Sequence, residues 1–149
     1  MINRVLFLIL FLLSSCGYQP LYSEKENLNF STKELELIGD ANINKKIINI
    51  LFIKVDKVKF QNNKITLESN KNIVETSKNK QGQPDSFKMV INFKLSIVDK
   101  ENNLVAKNFS EEFSYKNKDN KFELSEYEIN LEQNLINNII NKIRIFTNI

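Results

Sequence analysis

Residues 87–97 read FKMVINFKLSI, and the alternation in that stretch organises the rest of the chain. Phe87, Met89, Ile91, Phe93, Leu95 and Ile97 share one parity, while Lys88, Asn92, Lys94 and Ser96 occupy the other. Successive side chains of a strand project to opposite faces, so the pattern predicts one buried face and one wet face. Turns bound it on both sides. QGQPDS at 81–86 carries glycine and proline as breakers, and residues 99–103 have the composition of a hairpin turn. Before the first turn, residues 64–77 are polar with scattered β-branched positions. Ile65, Leu67 and Ile73 fall on one parity there, Val74 and Thr76 on the other, which fits a bulged or edge strand. After the second turn, Val105, Phe109, Phe113 and Tyr115 supply the apolar face of a further strand. Lys107 and Glu111 interrupt that face and predict partial exposure.

Outside these three strands the period changes. Residues 33–39 place Leu35 and Leu37 on alternate positions, as a half-buried first strand does, and Gly39-Asp40 ends it. Ile43, Ile47, Ile50, Leu51 and Val55 then recur at three- and four-residue steps, with Asn42 or Asp40 as N-cap, which predicts a helix over about 43–54. Residues 51–53 equally suit the start of a strand. Near the C-terminus, Ser125-Glu-Tyr-Glu128 reads as a capping box, with Leu124 and Ile129 placed as a hydrophobic staple. Leu131, Leu135, Ile139, Ile143 and Phe146 follow on one helical stripe, so a long helix is expected over 126–145. The order β-α-β-β-β-α predicts an α+β two-layer sandwich. Two helices pack on one face of a four-stranded mixed sheet, and the other face stays free.

A length of 149 residues suits one domain, and 42% hydrophobic with 26% charged residues is a globular composition. No internal repeat is present. The net charge of +3 is spread along the chain without a basic tract, which does not make a nucleic-acid footprint. The abundance of Asn and Lys is read as base-composition bias. With no His and a single Cys, Cys/His nucleophile pairs and His-based metal sites are excluded. No glycine-rich phosphate loop occurs. Glu111 and Glu112 are adjacent on a strand and face opposite sides, so they read as exposed acids and not as a catalytic pair. The expectation is a protein without enzymatic activity, metal or cofactor: an adaptor, a plug or a lipid-binding module.

The N-terminus, MINRVLFLILFLLSSC, has Arg4, an apolar run over 5–13, two serines and then Cys16. This is the layout of a secretory signal, because the run falls far short of the roughly twenty residues that span a bilayer. The predicted organisation is a signal peptide at 1–15, a lipidated N-terminal tether at 16–32 and one domain at 33–149. Removing 1–15 takes away Arg4 and no acid, which leaves a weakly basic chain. Leu13-Ser14-Ser15-Cys16 resembles the bacterial lipobox. That resemblance implies a diacylglycerol thioether on Cys16 and acylation of the freed amine. Several acyl chains at about 0.8 kcal/mol per buried methylene make a firm anchor. Gly17 in place of aspartate points to the outer membrane. A lone, lipidated Cys leaves no thiol for a disulfide, so the domain must stand on its core.

After Cys16 come Gly17-Tyr18-Gln19-Pro20-Leu21-Tyr22. This opening resembles that of mature LPS-assembly lipoproteins, the LptE family, whose α-proteobacterial members begin C-G-aromatic-x-P-L-Y. The element order is similar over most of 13–146, although Asn44-Lys45-Lys46 stands where the family often has an Arg leading its first helix. The resemblance implies a non-catalytic subunit within the outer-membrane β-barrel LPS-assembly protein LptD, on the periplasmic side of a Gram-negative outer membrane. Its role there is to help the barrel fold and insert lipopolysaccharide, and direct LPS binding is also attributed to the family. Tyr18, Leu21 and Tyr22 suit a membrane interface, and Pro20 stiffens the strip, so barrel or membrane contact is expected there. Lys78, Lys80 and Lys88, near the sheet turn, are candidates for meeting lipid phosphates as point charges, with solubility as the plain alternative. Two rival readings remain: an auxiliary lipoprotein of another, ABC-type envelope lipid transporter, and an envelope enzyme using carboxylates alone.

Overall fold

The computed structural model describes residues 31–56 and 62–147. Its elements are β1 (Ser31–Gly39), α1 (Ala41–Leu51), β2 (Lys54–Val55), β3 (Asn62–Lys78), β4 (Pro84–Val98), β5 (Leu104–Lys116) and α2 (Lys121–Phe146). The strands form one mixed sheet in the order β2-β1-β3-β4-β5. β1 is parallel to β2 and β3, and β3, β4 and β5 are joined antiparallel. The expected two-layer α+β class is found, with five strands in place of four.

The fifth strand follows from how α1 ends. Phe52 takes a left-handed conformation at φ 51°, and its N–H donates to the Ile48 carbonyl, so the helix stops at Leu51 and not at 54. The chain then runs back beside β1. Lys54 and Val55 pair with Ser31 and Thr32, and the Asp56 N–H donates to the Thr32 carbonyl at 3.0 Å. The entry to α1 is equally sharp. Gly39 turns the chain at φ 85°, and a Cβ there would lie 1.9 Å from the Ser69 carbonyl oxygen. Asp40 is the N-cap: its carboxylate accepts from the Asn42 and Ile43 N–H groups, both at 3.0 Å.

β4 supplies the centre of the core, as its alternation predicts. Met89, Ile91, Phe93 and Leu95 are buried, with Leu67 of β3 opposite Leu95 and the buried Ile65 opposite Ile97. Ile43, Ile47 and Leu51 of α1 and Leu131, Leu135, Ile136, Ile139, Ile140 and Ile143 of α2 close over that face. Burying each such side chain contributes roughly 1.5–3 kcal/mol, set against the entropy of ordering the chain. Phe109 bridges layers, with ring centroids 6.4 Å from Phe93 and 6.0 Å from Phe146. On β5, Phe109 and Tyr115 are buried while Val105 and Phe113 stay about half exposed, in line with the interrupted pattern. The β3 irregularity is a bulge at Thr76, where the register to β4 shifts between Glu75 and Ser77.

The start of α2 corrects the expected capping box. The N-cap is Asn120, whose side-chain oxygen accepts from Phe122 and Glu123, so the helix begins at Lys121 and Ser125 and Glu128 lie inside it. Glu128 accepts the Tyr115 hydroxyl at 2.6 Å instead of closing a box. Nor is there a staple between Leu124 and Ile129, since Leu124 is buried and Ile129 is 61% exposed. The cause is the short link from β5, which brings Asn120 to the first helical turn five residues ahead of Ser125.

Candidate functional site

Cys16, Tyr18, Pro20, Leu21 and Tyr22 lie outside the described residues. Of the three lysines near the hairpin, Lys80 is exposed in the turn between β3 and β4. Asn79 organises that turn, its side-chain oxygen accepting from the Gln81 and Gln83 N–H groups. Lys78 stands at the end of β3 with Glu75 at 3.8 Å, and Lys88 sits further down β4, opposite Glu112 at 3.3 Å. Lys78 and Lys88 are thus each matched by an acid on their own surface. The fold spreads the three along the hairpin and does not converge them on one point.

Basic groups do converge at the head of α1. Lys46 of α1 and Lys71 of β3 each donate to Glu132 of α2 at 2.6 Å, one to each carboxylate oxygen. The Glu132 side chain is only 12% exposed. Burial alone pushes its carboxyl up, but the bonds from Lys46 and Lys71 outweigh it and hold the group below its ordinary value. Lys71 is raised in turn, chiefly by its bond to Glu132 against the opposing effect of burial, with the charges of Asp40 and Glu128 adding. Asp40, Asn42, Lys45 and Asn49 complete the lining of a cavity of about 410 Å³ above this knot. Three ammonium groups against two carboxylates leave it net cationic, with Glu132 already occupying two of the three. Beside it, Asn44 is buried. Its amide donates to the Ile38 carbonyl at 2.9 Å, and its oxygen has no partner among the described residues.

Sequence reading singled out the 44–46 stretch without a role and missed Glu132. The available signal was an acid set among Leu131, Leu135 and Ile136 on the apolar stripe of a helix, because a charge there needs a partner.

The face of the sheet that none of the described residues covers is polar and laced with cross-strand contacts. Lys64 meets Glu36 at 2.8 Å, Lys94 meets Glu68 at 3.9 Å, and the Ser110 hydroxyl donates to Asn92 at 2.8 Å. A hollow of about 240 Å³ opens among Glu68, Asn70, Asn92, Lys94 and Asn108. A more apolar groove of about 290 Å³ runs between β5 and α2, lined by Phe113, Tyr127, Leu131 and Leu135. Among the described residues, no group of three or more His, Cys, Asp and Glu side chains is placed to hold a metal ion. No helix among them is long and apolar enough to cross a membrane.

No protein-family model matches the chain, and no curated protein matches its sequence. Solved structures do match its fold. The crystal structure of rare lipoprotein B from Shewanella oneidensis superposes with a TM-score of 0.51 at 11% identity, covering 77% of this chain and 96% of that one. The solution structure of lipoprotein B from Nitrosomonas europaea gives 0.57 at 10% identity, with 80% and 84% covered. At these identities the likeness is one of architecture, and this chain shares the fold of the rare lipoprotein B structures.

Proposed function

We propose that this chain is a non-catalytic lipoprotein of the LptE type, of the α-proteobacterial kind, anchored by acyl chains on Cys16 at the periplasmic side of a Gram-negative outer membrane. There it assists assembly of the β-barrel LPS-assembly protein LptD and the insertion of lipopolysaccharide. The observation that carries this reading is a junction: a lipobox-like Leu13-Ser14-Ser15-Cys16 and the Gly17-Tyr18-Gln19-Pro20-Leu21-Tyr22 strip stand directly ahead of a domain with the rare lipoprotein B fold. The polar free face of the sheet and the spread of paired charges suit a surface that meets another protein. The basic cavity at the head of α1 is a better-built cationic centre than the hairpin lysines.

The test is recovery of the tagged, full-length chain from solubilised envelopes. Co-purification of a large outer-membrane barrel is expected, and recovery of an inner-membrane ABC transporter instead overturns the reading. Radiolabelled palmitate should enter the native chain and not Cys16→Ser. Replacing Tyr18, Leu21 and Tyr22 by Ser with Cys16 kept should lower barrel assembly. Unchanged assembly reduces the strip to a spacer.

A further inference from the structure

β3 runs for 17 residues, but β1 stops at Gly39 opposite Ser69, so from residue 70 onward β3 has, among the described residues, a strand on one side only. The other long edge of the sheet is guarded. On β5, Lys142 of α2 donates to the Ser110 carbonyl at 3.4 Å and pairs with Glu111, the kind of charge that keeps an edge strand from pairing. The free half of β3 instead presents β-branched residues, with Ile73 and Val74 both more than 40% exposed.

The direction of its main-chain groups is fixed by one bond. The Asp40 N–H donates to the Ser69 carbonyl at 3.0 Å, so Ser69 faces away from β4. Alternation then turns the N–H and C=O groups of Lys71, Ile73 and Glu75 toward the open side. Those three residues read basic, apolar, acidic, a pattern complementary to its own reverse. When two such edges lie antiparallel about a twofold axis through Ile73, each Lys71 meets the Glu75 of the other copy and the two Ile73 side chains meet each other. Registers centred on Lys71 or Glu75 oppose like charges and are disfavoured. An ammonium has three N–H donors, so Lys71 keeps capacity beyond its bond to Glu132. The bulge at Thr76 ends the regular stretch.

We propose that the free half of β3 is a self-association edge. A second copy of this chain pairs antiparallel along residues 70–76, in the register set by two Lys71–Glu75 contacts, and joins the two sheets into one. The contact is short, so the association is weak and depends on concentration. In this register Asn72 faces Val74 of the other copy as a non-hydrogen-bonded pair, with Cα atoms about 4.5 Å apart, a separation a disulfide accepts.

The experiment uses two differently tagged full-length chains, one carrying Asn72→Cys and the other Val74→Cys. Both positions are exposed, so the fold is undisturbed. Mild oxidation of cells making both is expected to yield a mixed-tag disulfide dimer. Either variant alone should give no more product than chains with only the native Cys16. Adding Glu75→Lys to both chains should lower the mixed product about fivefold or more, because ammonium then faces ammonium. Absence of the mixed product, equal product from either variant alone, or linkage of these cysteines to a different protein overturns the proposal.

Discussion

Ile65 and Leu67 in the first half of β3 are fully buried, whereas Ile73, on the same face in the second half, is 41% exposed, although both halves pair with β4. Strand propensity does not separate them, since all three are apolar and both Ile65 and Ile73 are β-branched. Neighbours do. The first half lies between β1 and β4 and under α1, and the second loses β1 at Gly39, where the chain turns into α1. Where β1 ends therefore decides which part of β3 belongs to the core and which is left to the surface.

The most damaging way to break that contrast is Gly39→Ala. The left-handed φ of 85° disfavours any side chain by roughly 1–2 kcal/mol, and the new Cβ meets a backbone carbonyl, so β1 must separate from β3 at Ser69. A loss of on the order of 3–4 kcal/mol in urea unfolding is expected, at the upper end of single substitutions. Next in size, Leu67→Ala should cost about 3 kcal/mol as a cavity at a fully enclosed site, and Ile73→Ala about 1 kcal/mol or less at a half-exposed one. Equal losses at the two positions would mean that the second half of β3 is covered in solution.

Glu132 ties the boundary between the halves, because Lys71 stands just past the end of β1 and Lys46 is on the helix that replaces it. Glu132→Gln keeps the shape and one acceptor but leaves two half-buried ammonium groups without a carboxylate. About 1–2 kcal/mol should be lost at neutral pH. The pH dependence has a definite sign. The Glu132 carboxyl is lowered from 4.5 in the folded state, so its contribution is present above that value and is lost as pH falls through the lower folded one. Lys71 is raised from 10.5, so its contribution is present below that value and is lost as pH rises through the folded one. Unfolding free energies measured from pH 2 to 7 should fall less steeply in Glu132→Gln than in the native chain.

The same contrast explains what could be read from sequence. β4 was legible because six apolar residues hold one parity without a break and its two faces differ in chemistry. A bulged or edge strand was legible for β3 only in outline: the change of parity from Ile73 to Val74 falls in regular ladder, with Val74 on the other face, and the bulge itself is at Thr76. β2 was legible only as the alternative of a strand starting within 51–53: two residues carry no period, and the turn that creates it is a left-handed Phe52 with no glycine to announce it. The Lys46–Glu132–Lys71 knot joins residues 86 and 61 positions apart, a relation no local pattern encodes. Cys16 and the aromatic strip carry the functional reading by motif alone, and Lys78 and Lys88 each have an acidic partner on their own surface.

The smallest expected effect concerns the helix that roofs the second half of the sheet. α2 reaches over it through Tyr127, which packs on Tyr115 at 5.7 Å, while Tyr115 in turn packs on Phe87 at 5.8 Å. That placement depends on where the helix starts. Asn120 accepts from the Phe122 and Glu123 N–H groups, so Asn120→Ala leaves helix donors without their cap and should cost about 1 kcal/mol. Ser125→Ala removes a hydroxyl from an exposed interior turn and replaces it with a better helix former, so a change within about 0.5 kcal/mol of zero is expected. Thermal unfolding of the two variants side by side separates these starts. A larger loss at Ser125 would move the first turn of α2 past Leu124, expose that buried residue and uncover the sheet beneath it, whereas a loss confined to Asn120 keeps the roof over Tyr115 and leaves β3 beyond Ser69 open only along its edge.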